Sequence, residues 1–185
     1  MRILLVAEGA TLAHVARPLV LAQEFSRHGH EVHLALPKRY RGLLVGRQHQ
    51  VEIHDLEAQS PEIFAQRLAA GRPVYDLPTL ESYVKDDRKL IAAIKPDRVV
   101  GDFRLSLCVS ARQAGVIYIT LSNAYWSPSY RIDEWPVPDL PLTHVLPLWL
   151  ARWVFNRMRP LAFVSHARPI ERLRIAHGLT SIGGD

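Results

Sequence analysis

The sequence predicts an α/β fold, a doubly wound parallel sheet with helices on both faces. Three observations carry this. The stretch from Arg2 to Ala7 is a continuous apolar run of strand length, as expected for a strand covered on both faces. A strand, a helix and a second strand follow one another within the first 36 residues, the pattern of a βαβ unit with a right-handed crossover. Strand-like and helix-like segments then continue to alternate as far as Leu121.

In order, Glu8-Gly9-Ala10-Thr11 breaks the first strand. Val15, Leu19, Ala22 and Phe25 recur at helical spacing, predicting an amphipathic helix from about Ala13 to His28. Gly29 stands where a left-handed C-cap is wanted, and Glu31 to Leu36 is a second strand stopped by Pro37. A short helix is expected over Arg39 to Arg47 and a third strand over Val51 to His54. Pro61 to Ala70 reads as helical and ends at Gly71-Arg72-Pro73. A longer helix holds Leu80, Val84 and Leu90 to Ile94 and stops before Pro96. Arg98 to Gly101 is a fourth strand, Ser106 to Ala114 a helix closed by Gly115, and Val116 to Leu121 a fifth strand. Residues 123 to 147 crowd Tyr125, Trp126, Tyr130 and Trp135 among five prolines, which predicts a structured loop because aromatic rings seek burial. Helical character returns near Leu148.

Composition excludes several classes. With 48% hydrophobic and 22% charged residues in 185, the chain can bury a core and is not disordered. Cys108 is its one cysteine, so a disulfide scaffold and a cysteine-built zinc site are excluded, and mid-helix beside Val109 it reads as core. No run of about 18 uncharged apolar residues exists and the N-terminal apolar stretch is too short for a signal peptide, so a cytoplasmic location is expected. The net charge of +5 is matched by one segment, Ala151 to Arg174, where Arg152, Arg157, Arg159, Arg168, Arg172 and Arg174 face the single acid Glu171. Beside Trp149, Trp153 and Phe155, that segment is either a solvated helix face or a surface for an acidic partner or a peripheral membrane contact. RNA-binding motifs are absent, and no nucleic-acid partner is expected. Gly9 belongs to no G-x-G-x-x-G sequence, which counts against an NAD or FAD enzyme.

Open parallel sheets bind ligands beyond the carboxyl ends of their strands, where strand order reverses. With the order 3-2-1-4-5 that crevice lies between strands 1 and 4. His14, at the start of the first helix, and Asp102, directly after strand 4, would then face each other across it. An imidazole backed by a carboxylate is a general-base arrangement. Taken singly, His14 is equally a locally packed helix-end histidine, and Asp102 a cap for the next helix. His28, His30 and His33 are expected at the surface or sheet edge, with no metal site.

Several segments together resemble the opening of nucleotide-sugar glycosyltransferases of the GT-B fold. They are Glu8-Gly9-Ala10-Thr11-Leu12-Ala13-His14-Val15-Ala16-Arg17 with Pro18 to Ala22, His28-Gly29-His30-Glu31-Val32, Pro96 to Asp102, Ala114-Gly115-Val116, and Arg172 to Leu179. The nearest likeness is to bacterial macrolide and UDP-glucosyltransferase-type enzymes of glycosyltransferase family 1. Ala13 stands where that family usually has glycine, and Arg17 where proline is common.

The resemblance implies that residues 1–185 form a Rossmann-like, acceptor-binding N-terminal half, ending before the interdomain linker and lacking the C-terminal donor domain, which would be supplied in cis or in trans. It implies an inverting transferase with His14 as base and Asp102 orienting it. Gly9, Ser122, Asn123, Tyr125 and Trp126 would line the substrate site. A nucleotide-sugar would be co-substrate, an apolar small molecule or lipid the acceptor, and neither a cofactor nor a metal is called for. Two alternatives remain: a non-catalytic split subunit that binds a partner or membrane, and a flavodoxin-like or receiver-type binding domain, in which His14 and Asp102 would lie apart.

Overall fold

A computed structural model describes residues 1–44, 51–124, 130–131, 135–137 and 141–181, with side chains excepted at 141 and 142. Five parallel strands, β1 (Arg2–Ala7), β2 (Glu31–Leu36), β3 (Val51–Asp55), β4 (Arg98–Asp102) and β5 (Ile117–Leu121), form one sheet in the order β3-β2-β1-β4-β5. The helices are α1 (Ala13–Arg27), α2 (Pro61–Ala69), α3 (Leu77–Ile94), α4 (Leu107–Gln113), α5 (Pro141–Val145) and α6 (Leu148–Ala176).

The apolar run of β1 divides by strand alternation into two cores. Ile3, Leu5 and Ala7 pack with Val15, Leu19 and Ala22 of α1. Leu4 and Val6 face the opposite way, toward Ile91 and Ile94 of α3 and Leu107 and Ala111 of α4. The central strand is therefore continuously hydrophobic because each face has its own helix layer. Leu173, near the end of α6, joins Tyr75, Leu80, Tyr83 and Val84 in a third cluster.

Gly29 is left-handed (φ +76°), and its N–H bonds to the Ser26 carbonyl, closing α1 as its position predicts. Two expectations shift. The segment from Arg39 begins as a 3-10 turn over Lys38–Leu44, and residues 45–50 fall outside the described set. The proline-rich segment contains α5, a five-residue helix that opens on Pro141, where a missing N–H costs nothing at a helix start. Among the described residues no helix is long and apolar enough to cross a membrane.

Candidate functional site

The sheet order reverses between β1 and β4, and at that point Ala7 and Asp102 are register partners. Asp102 is the last residue of β4 and fully buried. His14 reaches it from the second position of α1. Pro18, one turn on, has no N–H to give to the His14 carbonyl, so the first turn of α1 is held less tightly than its remainder.

The His14 Nδ1 atom lies 2.8 Å from Asp102 Oδ1. Two lone pairs cannot sit at that distance, so with Asp102 ionised Nδ1 carries the proton and donates to the carboxylate, and in the neutral imidazole Nε2 then keeps the free lone pair. The side chain of His14 is 14% exposed and its ring stacks on Phe103, centroids 4.7 Å apart at 17°. Phe103 has φ +60°, an uncommon conformation for a non-glycine residue that places its ring under the imidazole. Asp102 thus serves His14 rather than capping α4, and the separation expected of a flavodoxin-like or receiver-type domain does not occur.

Arg17 completes the cluster. Its Nη2 donates to the same Asp102 Oδ1 at 2.7 Å and lies 3.0 Å from His14 Nδ1, while Nη1 donates to Asn123 Oδ1 at 2.9 Å. One guanidinium therefore ties the loop after β5 to the end of β4. Asp102 Oδ2 is buried with no hydrogen-bond partner among the described residues.

Asn123 thus joins His14 and Asp102, through Arg17. Ser122 is exposed, and among the described residues its hydroxyl donates to the Asn123 carbonyl at 3.4 Å. Gly9 supports the site from behind: its carbonyl accepts from Arg39 Nη2 at 3.0 Å and from Tyr40 Oη at 3.1 Å. A Cβ there would come within 2.5 Å of Arg39 and 2.7 Å of Pro37. Tyr125 and Trp126 lie outside the described residues. Cys108 is half-buried, and burial pushes its thiol up, as suits a packed cysteine.

Beneath the crevice lies a buried polar cluster that sequence reasoning missed. Arg104 is fully buried; its Nε donates to Asp87 Oδ1 and its Nη1 to Glu8 Oε2, both at 3.0 Å, and Nη1 also to the Glu57 carbonyl at 2.8 Å. The guanidinium lies 3.6 Å over the Tyr83 ring. Asp87 Oδ2 accepts from Ser106 at 2.5 Å and Ser110 at 3.2 Å. Burial raises the carboxyls of both Glu8 and Asp87, opposed by Arg104. Glu8 follows β1 and Arg104 follows β4, so this network braces the two loops that carry the site. A charged residue directly after a fully buried strand was its one sequence signal.

The arginine-rich segment is not one uniform face. Arg174 is buried and donates to the Thr180 carbonyl, and Arg159 lies over the Trp135 ring at 4.9 Å, whereas Arg157, Arg168 and Arg172 are exposed. His33 is also buried rather than superficial.

No family model matches the chain. It is 43% identical over 186 residues to a protein named an inactive PGL/p-HBAD biosynthesis glycosyltransferase of Mycobacterium bovis (strain BCG / Pasteur 1173P2), covering 100% of this chain and 50% of that protein. A PGL/p-HBAD biosynthesis glycosyltransferase of Mycobacterium tuberculosis (strain ATCC 25618 / H37Rv) is also 43% identical, with 100% of this chain and 42% of that protein covered. A PGL/p-HBAD biosynthesis rhamnosyltransferase of M. tuberculosis (strain ATCC 25177 / H37Ra) matches at 43%, over 98% of this chain and 40% of the relative. The chain therefore spans half or less of the length of the curated relatives it matches.

Among solved structures, the glycotransferase of kitacinnamycin superposes with a TM-score of 0.60 at 16% identity, covering 96% of this chain and 40% of that one. The glycosyltransferase VinC, in complex with DTDP, gives 0.51 at 16%, covering 96% and 44%. By sequence the chain is a homologue of these mycobacterial glycosyltransferases, and by fold it is a Rossmann-like domain of the kind that makes up half of the GT-B architecture.

Proposed function

We propose that this chain is the acceptor-binding half of an inverting glycosyltransferase that moves a sugar from a nucleotide-sugar to the hydroxyl of an apolar small-molecule or lipid acceptor. The single observation that carries the reading is the 2.8 Å contact between His14 and Asp102 at the switch point of the sheet. In this reaction Nε2 of His14 takes the acceptor O–H proton as the oxygen attacks the anomeric carbon. The bond from that carbon to the nucleoside diphosphate breaks, and the diphosphate leaves with the electron pair. Attack opposite the leaving group inverts the anomeric centre. Asp102 holds the tautomer and stabilises the imidazolium that forms.

Supplying the nucleotide-sugar falls to a C-terminal donor domain, in cis or in trans, as the relatives' greater length suggests. An open groove of about 430 Å³ between Tyr75, Leu77, Pro78 and the α6 residues Arg168, Pro169 and Arg172 is one place where an acceptor can lie. Tyr75 connects it to Phe103, ring centroids 6.1 Å apart, and so to the stacked His14. The exposed Trp149, Trp153, Leu161 and Phe163 of α6 make a peripheral membrane contact part of the same proposal. The PGL/p-HBAD names of the relatives direct the search to acceptors of that biosynthesis.

The test is transfer by the full-length protein from a panel of nucleotide-sugars to such acceptors, with the product's anomeric configuration read by NMR. An inverted product supports the reading, and a retained one contradicts it. A non-catalytic role, binding a donor-domain partner, is favoured by one observation: a relative at the same 43% identity is named inactive. Absence of transfer together with stable capture of a donor-domain protein would select that role instead.

A further inference from the structure

We propose that His33, Glu52 and His54 form a binding site for one zinc-type divalent ion at the β2–β3 edge of the sheet. His33 and Glu52 are register partners on adjacent strands, and His54 lies two residues along β3 from Glu52, so alternation puts all three side chains on one face. The His33 Nδ1 and His54 Nε2 atoms are 3.0 Å apart. Glu52 Oε2 is 3.5 Å from the first, and Glu52 Oε1 is 3.6 Å from the second. Ligand atoms around a tetrahedral ion with bonds of about 2.0–2.1 Å are separated by about 3.3 Å. The two imidazole nitrogens stand close to that spacing, and one ligand atom from each of the three residues lies within 4.8 Å of the others, so a turn of the exposed Glu52 carboxylate completes such a face.

Proton counting favours an ion over a hydrogen bond. The other nitrogen of His33, Nε2, lies 3.3 Å from Glu31 Oε1, and Glu31 is itself fixed by Arg2 Nε at 2.6 Å. If Nε2–H donates to Glu31, a neutral His33 presents a lone pair at Nδ1. That lone pair, the His54 nitrogen and the Glu52 carboxylate then converge on one point. A single proton on His54 serves one of these contacts, whereas a cation serves all three. The Glu31–His33 contact is the outer-shell carboxylate that commonly orients a metal-bound histidine.

Two imidazoles and one carboxylate suit zinc and disfavour calcium and magnesium, which take oxygen ligands. With Glu52 exposed, the fourth position is open to water. The ion would clip β3, the edge strand, to β2. It lies along the strands from His33 to His54 and shares no residue with the His14–Asp102 cluster.

The experiment is a competition titration of metal-free full-length protein with zinc chloride against a chromogenic chelator, repeated with cobalt(II) to read its visible absorption. Expected are one equivalent bound and a tetrahedral cobalt spectrum. His54→Ala and Glu52→Gln, at half-buried and exposed positions, should each weaken binding about 100-fold or more, and Glu31→Gln by about 10–100-fold. Circular dichroism checks that each variant is folded. Absence of saturable binding, or affinity within about twofold of the parent in both His54→Ala and Glu52→Gln, overturns the proposal.

Discussion

Nδ1 of His14 and Oδ1 of Asp102 stand 2.8 Å apart although 88 residues separate them in the chain. The contact exists because β1 and β4 are neighbours whose carboxyl ends are in register, and because α1 starts beyond one end while β4 ends at the other. The carboxylate fixes which imidazole nitrogen keeps its proton, and from that the chemistry of the other nitrogen follows.

Replacing Asp102 by Asn keeps the shape but removes the charge behind His14. In the full-length enzyme the turnover number should fall by about 10²-fold or more, with KM much less affected. The measurement is steady-state kinetics on both proteins, with circular dichroism to confirm that β4 remains folded.

The Arg104 cluster should respond asymmetrically. Arg104→Met leaves Glu8 and Asp87 buried without their cation and should cost about 3–5 kcal/mol of stability, whereas also replacing Glu8 by Gln and Asp87 by Asn should recover much of that loss. Urea unfolding of the three-fold and single variants gives the comparison.

Much of this organisation was legible from the residues alone. Four of the five strands were readable as short, largely apolar runs bounded by glycine, proline or polar breaks, β3 by its alternation of Val51 and Ile53 with Glu52 and His54, and the crevice pair followed from strand order. The Arg104 cluster was not, since its bonds to Glu8 and Asp87 span 96 and 17 residues and no periodicity links them. His33 and His54 meet only through the β2–β3 register, which a sequence does not display. Helix α5 was hidden by Pro141 at its start and by the neighbouring prolines Pro138 and Pro147. Arg17 stood out only as a departure from the family pattern, and its bridging role needed the side-chain geometry.

Gly9→Ala should be destabilising by about 1–3 kcal/mol, because the added methyl meets Pro37 and Arg39 at distances no packed carbon tolerates. Thermal melting of the variant checks this. A loss of Arg39 contacts to the Gly9 and Gln59 carbonyls should accompany it.

Asp76 caps α3, accepting from the Thr79 N–H at 3.0 Å and the Thr79 hydroxyl at 2.6 Å, and the Thr79 hydroxyl is the chief cause that lowers its carboxyl. Asp76→Ala should cost about 0.5–2 kcal/mol at neutral pH. A folded pKa below the unfolded one means that the contribution is present above the ordinary aspartate range and is lost as pH falls through the folded value. The gap between parent and variant should therefore close in acid, as chemical denaturation across pH would record.

The most direct measurement is turnover of His14→Ala in the full-length protein, assayed for sugar transfer beside the parent. Transfer should drop by about 10²–10⁴-fold while the melting temperature stays near that of the parent. Unchanged turnover in a folded His14→Ala protein would remove His14 as the base and contradict the mechanism built on its contact with Asp102.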